Sequence, residues 1–201
     1  MEQNEALTIE KLISEVFEAN ITHQVSDYLN NSLKNVLSIE EANQKLLEDF
    51  GFLHFFENGE DLRTLRETIA DAIHYVSEID RTEYGDFQTN LVLANKITFH
   101  LRSKNISPEV IIEPTCGIGN FIIASLMHFD NVKSIFGVEI YKPYVWECKF
   151  NIIDFYLSNP KQNKPRISII HSNVFDFDFN KIADGNQNAK ILLERKGSFR
   201  G

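Results

Sequence analysis

Apolar residues recur at helical spacing through the first eighty positions. Ile9, Leu12, Ile13, Val16 and Phe17 fall at i, i+3, i+4, i+7 and i+8, the stripe of an amphipathic helix. Between Ile21 and Leu37 a less regular face holds Val25, Tyr28, Leu29, Leu33, Val36 and Leu37. Ser38-Ile39-Glu40-Glu41 is a capping box: the serine caps a helix while Glu41 reaches back. Leu46, Leu47 and Phe50 follow, and Gly51 suits the position that stops a helix. A further helix starts at Asn58 to Glu60 and carries Leu62, Leu65, Ile69, Ile73 and Val76. The intervening Phe52-Leu53-His54-Phe55-Phe56 reads as packing between helices, with a partner-docking patch as the alternative.

Beyond Tyr84-Gly85-Asp86-Phe87 the pattern changes. A helix from Leu91 to Leu101 is expected to bury Leu93, Ala94, Ile97 and Leu101. Short apolar runs then alternate with helical stretches, and they predict strands starting near residues 110, 134, 166 and 189. Phe121, Ile122, Ala124, Ser125 and Met127 make one connecting helix. Tyr144, Trp146, Phe150, Ile153 and Tyr156 make the next, with Trp146 in the core. Phe175-Asp176-Phe177-Asp178-Phe179 alternates as an edge strand or an extended loop does. Strand–helix alternation predicts an α/β unit with a mostly parallel sheet, and right-handed crossovers place the first strand between the second and the fourth. The expected organisation is a helical unit over 1–80, an α/β unit over 81–193 and an atypical tail over 194–201. An incomplete sheet leaves apolar surface and an open edge, which carries a risk of association.

Charge sharpens that division. The net charge of −9 splits into −12 for residues 1–80 and +3 for residues 81–201. The first part repels phosphate, and the second has no strong basic stripe. A basic loop around Lys161, Lys164 and Arg166 reads as solvated, with a weak phosphate contact as the alternative. No apolar run approaches the roughly 20 residues that span a bilayer, and Met1-Glu2-Gln3-Asn4-Glu5 is no secretory signal. Two cysteines, Cys116 and Cys148, give neither a disulfide framework nor metal spacing, so a reducing cytoplasm is expected. His54 and His74 lack partners at metal-ligand spacing.

The chemistry gathers at Ile111-Ile112-Glu113-Pro114-Thr115-Cys116-Gly117-Ile118-Gly119-Asn120-Phe121, where a strand meets a glycine turn and a helix start. These are the parts of a dinucleotide-type loop. Ile122 stands at the third glycine position and no Lys-Ser/Thr follows, so the loop suits an adenosine ligand with less phosphate to cradle. The second strand ends in Glu139, about 20 residues on, the spacing at which an acid reaches a ribose diol.

Glu113 to Phe121 resembles motif I of S-adenosylmethionine (SAM) dependent DNA adenine methyltransferases. Gly137-Val138-Glu139-Ile140 resembles their motif II. Gly85-Asp86-Phe87-Gln88-Thr89 resembles their motif X, which precedes motif I in the gamma-type order. The resemblance implies a partial Rossmann-like SAM-methyltransferase sheet. It implies that Phe87, Gln88 and Thr89 start a helix facing the methionine carboxylate, and that Glu113 contacts the methionine amino group. Pro114, Thr115, Gly117, Gly119 and Phe121 complete the loop around the cofactor. Glu139 takes both ribose hydroxyls, and Ile140 lies on the adenine. Ser172-Asn173-Val174-Phe175 matches a segment that usually carries aspartate at the second position. Asn173 then accepts from the adenine amino group without charge assistance, and Phe175 stacks on the ring. Asn90 replaces the usual proline after the threonine.

The family's catalytic Asn-Pro-Pro-aromatic loop has no counterpart. Neither Asn-Pro-Pro nor Asp-Pro-Pro occurs, and the fourth strand runs into Glu194-Arg195-Lys196-Gly197-Ser198-Phe199-Arg200-Gly201. The chain is therefore expected to be the N-terminal part of a restriction–modification methyltransferase, binding SAM weakly and inactive alone. On this reading it meets double-stranded DNA through segments it lacks. Alternatives are a related RNA or protein methyltransferase, and a non-catalytic SAM-binding or interaction module.

Overall fold

The computed structural model describes residues 19–70, 88–184 and 189–193. The expected helix at 9–17, the boundary near 81, Phe87 and the tail lie outside these residues. Three helices come first: α1 (His23–Leu33), α2 (Ile39–Phe50) and α3 (Gly59–Ala70). Then follow α4 (Leu91–Ser103), β1 (Val110–Glu113), α5 (Asn120–His128), β2 (Ser134–Glu139) and α6 (Lys142–Ser158). The chain continues through β3 (Arg166–His171), α7 (Asn180–Asp184) and β4 (Ile191–Leu193).

The strands form one sheet in the order β3-β2-β1-β4, and every pairing is parallel. β1 thus lies between β2 and β4, as the crossover rule requires. Parallel strands put all their carboxyl ends on one edge. Glu113 is level with Gly137, and Glu139 with His171. The residues 175–179 form no strand; Phe177 and Phe179, half-buried and edge to face, pack against the cluster of Val110, Ile112 and Ile182.

Local rules account for the helix ends. Thr22 caps α1 through Val25 N–H, and Ser38 caps α2 through Glu41 N–H at 3.2 Å. The return bond of the capping box shifts by one residue: Glu41 Oε2 accepts from Leu37 N–H, at 3.0 Å, rather than from Ser38. The Leu37 side chain is 93% exposed, off the apolar face on which it was expected. Gly51 ends α2 at φ 88° and returns its N–H to Leu47.

One continuous core joins α1–α3, α6 and one sheet face. It includes Leu29, Leu46, Phe55, Leu65, Trp146, Ile153 and Ile167. Phe52 to Phe56 is packing, as expected, but its partners extend beyond helices. Gly51 and Leu53 bracket Ile167 with two backbone hydrogen bonds of 2.9 Å, so this segment also borders β3. Helix α6 anchors the helical layer residue by residue. Glu147 accepts from Asn20, Lys149 donates to the Phe55 carbonyl at 2.8 Å, and Asp154 accepts from Thr22 and Gln24.

Helix α4 departs from expectation. Leu93 and Ile97 are 52% and 38% exposed; Ala94 is fully buried, as expected, and so is Thr98. The helix leans its small residues against α5, which allows close approach. The Thr98 hydroxyl donates to the Ala94 carbonyl at 3.0 Å, so its burial leaves no donor unmet.

Candidate functional site

The glycine turn lies between the tips of β1 and β2. Cys116 N–H donates to the Val138 carbonyl at 2.9 Å, tying the turn to β2, and Gly119 N–H closes it onto the Cys116 carbonyl. Gly117 and Gly119 take φ values of 53° and 86°, where a side chain is strained. A Cβ on Gly119 would also sit 2.7 Å from Cys148 Sγ, so the turn packs on α6 as closely as glycine permits. Gly119 then starts α5 with no side-chain cap. The first N–H groups of that helix are left for a ligand or water at the sheet edge.

Glu139 reaches across from β2. Its Oε2 accepts from Gly117 N–H and its Oε1 from Tyr141 N–H, both at 2.9 Å. The carboxylate therefore braces the turn from below. Each oxygen keeps acceptor capacity, since a carboxylate offers about four lone-pair sites. Glu113, at the tip of β1, is buried, whereas Pro114 is half-buried and Thr115 exposed.

Gln88 and Thr89 reach the same turn, but not as helix residues. Asn90 is the N-cap of α4, accepting from Val92 N–H at 2.7 Å, so the helix begins after them. The position that usually holds proline thus holds a capping side chain. Gln88 lies over Gly117, where a Cβ would meet its amide, and accepts from Ile118 N–H at 3.4 Å. The Thr89 carbonyl accepts from Asn120 at 2.8 Å. Phe121 is half-buried in the first turn of α5.

On the far side of Glu139, Ile140 is exposed and Phe175 is 90% exposed. Asn173 Oδ1 already accepts from Phe175 N–H at 3.0 Å, an Asx turn that orders Ser172 to Asp176. The oxygen expected to serve a ligand therefore also shapes its own loop. Val174 is half-buried between them. The Ser172 N–H donates to the Glu139 carbonyl, so this loop stays beside the β2 tip.

Sequence reasoning missed the side chains that hold the turn from behind. Asn151, on α6, donates to the Ile118 carbonyl at 2.9 Å, and Asn120 reaches Thr89. His171 Nε2 lies 2.9 Å from the Ile140 carbonyl. The available signal was a polar asparagine set between Phe150 and Ile152 within a helical stretch. Cys116 is buried and hydrogen-bonded to Cys148; that bond and burial raise its pKa well above the usual thiol range. Burial and the raised pKa both oppose thiolate formation. Among the described residues no cluster of His, Cys, Asp or Glu has metal-site geometry, and no helix is long and apolar enough to cross a membrane.

The loop and acid residues fit an adenosine cofactor. They form a glycine cradle with no room for side chains, an uncapped helix start and an acid with acceptor sites remaining. No protein-family model matches the chain. A modification subunit assigned to a type I restriction enzyme of Vibrio vulnificus YJ016 superposes with a TM-score of 0.39 and 19% identity. That match covers 70% of the chain and 29% of the subunit, and the fold assignment rests on the strand order itself. The chain is 39% identical over 121 residues to the type II methyltransferase M.NspV of Nostoc sp. (strain ATCC 29411 / PCC 7524). This match takes in 60% of the chain and 23% of the relative, so the chain spans less than a quarter of that protein's length. The resemblance to methyltransferases of restriction–modification systems, read first from Glu113–Phe121 and Gly137–Ile140, therefore holds.

Proposed function

We propose that the chain is the SAM-binding part of a site-specific DNA methyltransferase that acts on the exocyclic amino group of adenine. One observation carries the reading: the Gly117–Gly119 turn and Glu139 meet at adjacent parallel strand tips, joined by the 2.9 Å Gly117 bond. Glu139 would hold the ribose diol. Ile140 and Phe175 would flank the adenine, with Asn173 and Val174 at its edge. Phe87, Gln88, Thr89 and Glu113 would take the methionine end, and Pro114, Thr115 and Phe121 would line the wall. The bound cofactor supplies an electrophilic methyl group on a sulfonium. These residues only bind and orient it, which is catalysis by positioning. A target base would be flipped from duplex DNA by segments outside these residues. Adenine specificity is what the motif resemblance implies, and a cytoplasmic location rests on two cysteines that give no disulfide framework. Because the 201 residues contain neither Asn-Pro-Pro nor Asp-Pro-Pro, methylation by this chain alone is not expected.

Titration calorimetry with SAM tests the reading on the chain and on Glu139→Gln. Glutamine keeps one acceptor for the backbone but loses the charge that a diol favours. The chain should bind SAM, and Glu139→Gln should bind at least tenfold more weakly, about 1.4 kcal/mol. Equal affinities, or no heat from the unsubstituted chain, would overturn the assignment. Methyl transfer to duplex DNA by the chain alone would overturn the expectation of inactivity.

A further inference from the structure

The outer edge of β3 is only partly covered. In β3, Arg166 N–H bonds the Lys133 carbonyl toward β2, while Ile167 exchanges its bonds outward with Gly51 and Leu53. Alternation then turns the N–H and C=O of Ile169 outward as well. Among the described residues neither group meets a hydrogen-bond partner on that side. The chain's own strand segment stops one rung short because it is pulled away. Asn43 Oδ1 accepts from the N–H groups of Phe55 and Phe56, at 3.0 and 2.8 Å, and its Nδ2 donates to the Phe56 carbonyl at 2.9 Å. Three bonds from one side chain fix the bend at His54.

The bend opens a cleft of about 600 Å³ beside Ile169. Ile39, Phe56, Ile169 and Ile170 give it apolar walls; Glu40 and Glu57 stand over it, both exposed. No lysine or arginine lines it, and none of its lining residues belongs to the glycine turn. An acidic rim excludes a phosphate-bearing partner. A strand edge with one rung already filled by an extended parallel segment is a template for another.

We propose that the β3 edge at Ile169 accepts an added strand from a partner protein, an extended segment alternating apolar and basic side chains. The backbone of that segment exchanges hydrogen bonds with Ile169, its apolar side chains face Ile39 and Phe56, and its lysines or arginines meet Glu40 and Glu57. Panning a random heptapeptide phage library on the chain tests this, with the Glu40→Lys/Glu57→Lys variant as counter-target. Enriched peptides should alternate apolar and basic residues, bind the variant at least tenfold more weakly, and slow hydrogen exchange at the Ile169 amide. The proposal is overturned by failure to enrich over the variant, by enrichment of acidic or unpatterned peptides, or by protection that leaves Ile169 unchanged.

Discussion

Gly119→Ala isolates the closest approach in the site. The substitution acts in two separable ways. At φ 86° an alanine takes a left-handed conformation, which costs roughly 1–2 kcal/mol. Its Cβ also lands 2.7 Å from Cys148 Sγ, and that sulfur, fully buried on α6, has little room to move. Overpacking of this kind costs roughly 1–3 kcal/mol, for a total of about 2–5 kcal/mol. Cys148→Ala supplies the control. Alone it removes one buried sulfur, at about 1 kcal/mol. Combined with Gly119→Ala it removes the overlap, since the next atoms of Cys148 lie 3.6 and 3.7 Å from the new Cβ. The double variant should therefore be at least as stable as Gly119→Ala alone, with a favourable coupling of about 1–3 kcal/mol. Urea unfolding followed by circular dichroism on all four proteins reads the cycle. Losses that add to within about 0.5 kcal/mol would refute the close packing, and so would a neutral Gly119→Ala.

Lys149 is buried, donates to the Phe55 carbonyl and lies over the rings of Trp146 and Phe55, and desolvation lowers its pKa from 10.5 to about 8. The folded state binds this proton less tightly than the unfolded one, so stability should rise as pH climbs from about 8 to 10.5, by about 3 kcal/mol in all. Lys149→Met should flatten that rise in pH-dependent urea titrations; an identical slope in both proteins would refute it. Asn43→Ala removes the three bonds that fix the bend and leaves buried backbone groups unmet, and should cost roughly 2–4 kcal/mol by thermal unfolding. Asn151→Ala should weaken SAM affinity severalfold, by calorimetry, through loss of its bond to the Ile118 carbonyl; unchanged affinity would place the turn's support elsewhere.

The parallel sheet was legible because β1, β2 and β3 are short runs rich in valine and isoleucine, bounded by turn residues and separated by helical periods. The glycine turn and Glu139 were legible because both belong to a local strand–turn–helix pattern with a fixed spacing. Two kinds of feature were not. Size-weighted helical patterning selects Leu93 and Ile97 for the core of α4 beside Ala94, yet Ala94 and the unexpected Thr98 are the buried pair because close helix contact favours small side chains. The amide side chains of Asn43, Asn120 and Asn151 join segments 12 to 33 residues apart, and a lone asparagine in sequence carries no sign of its target. Leu37 was misplaced for another reason. Helix α1 ends at Leu33, so its apolar face does not extend to position 37.

Consecutive positions of α6 face opposite neighbours: Glu147 and Lys149 grip the helical layer, while Cys148 and Asn151 grip the turn at Gly119 and Ile118. A rotation of this one helix by a fraction of a turn would disturb both sets together. The helical layer and the ligand-facing loop are thus geared to the same shaft. Transplanting that layer onto a related sheet should fail unless α6 travels with it.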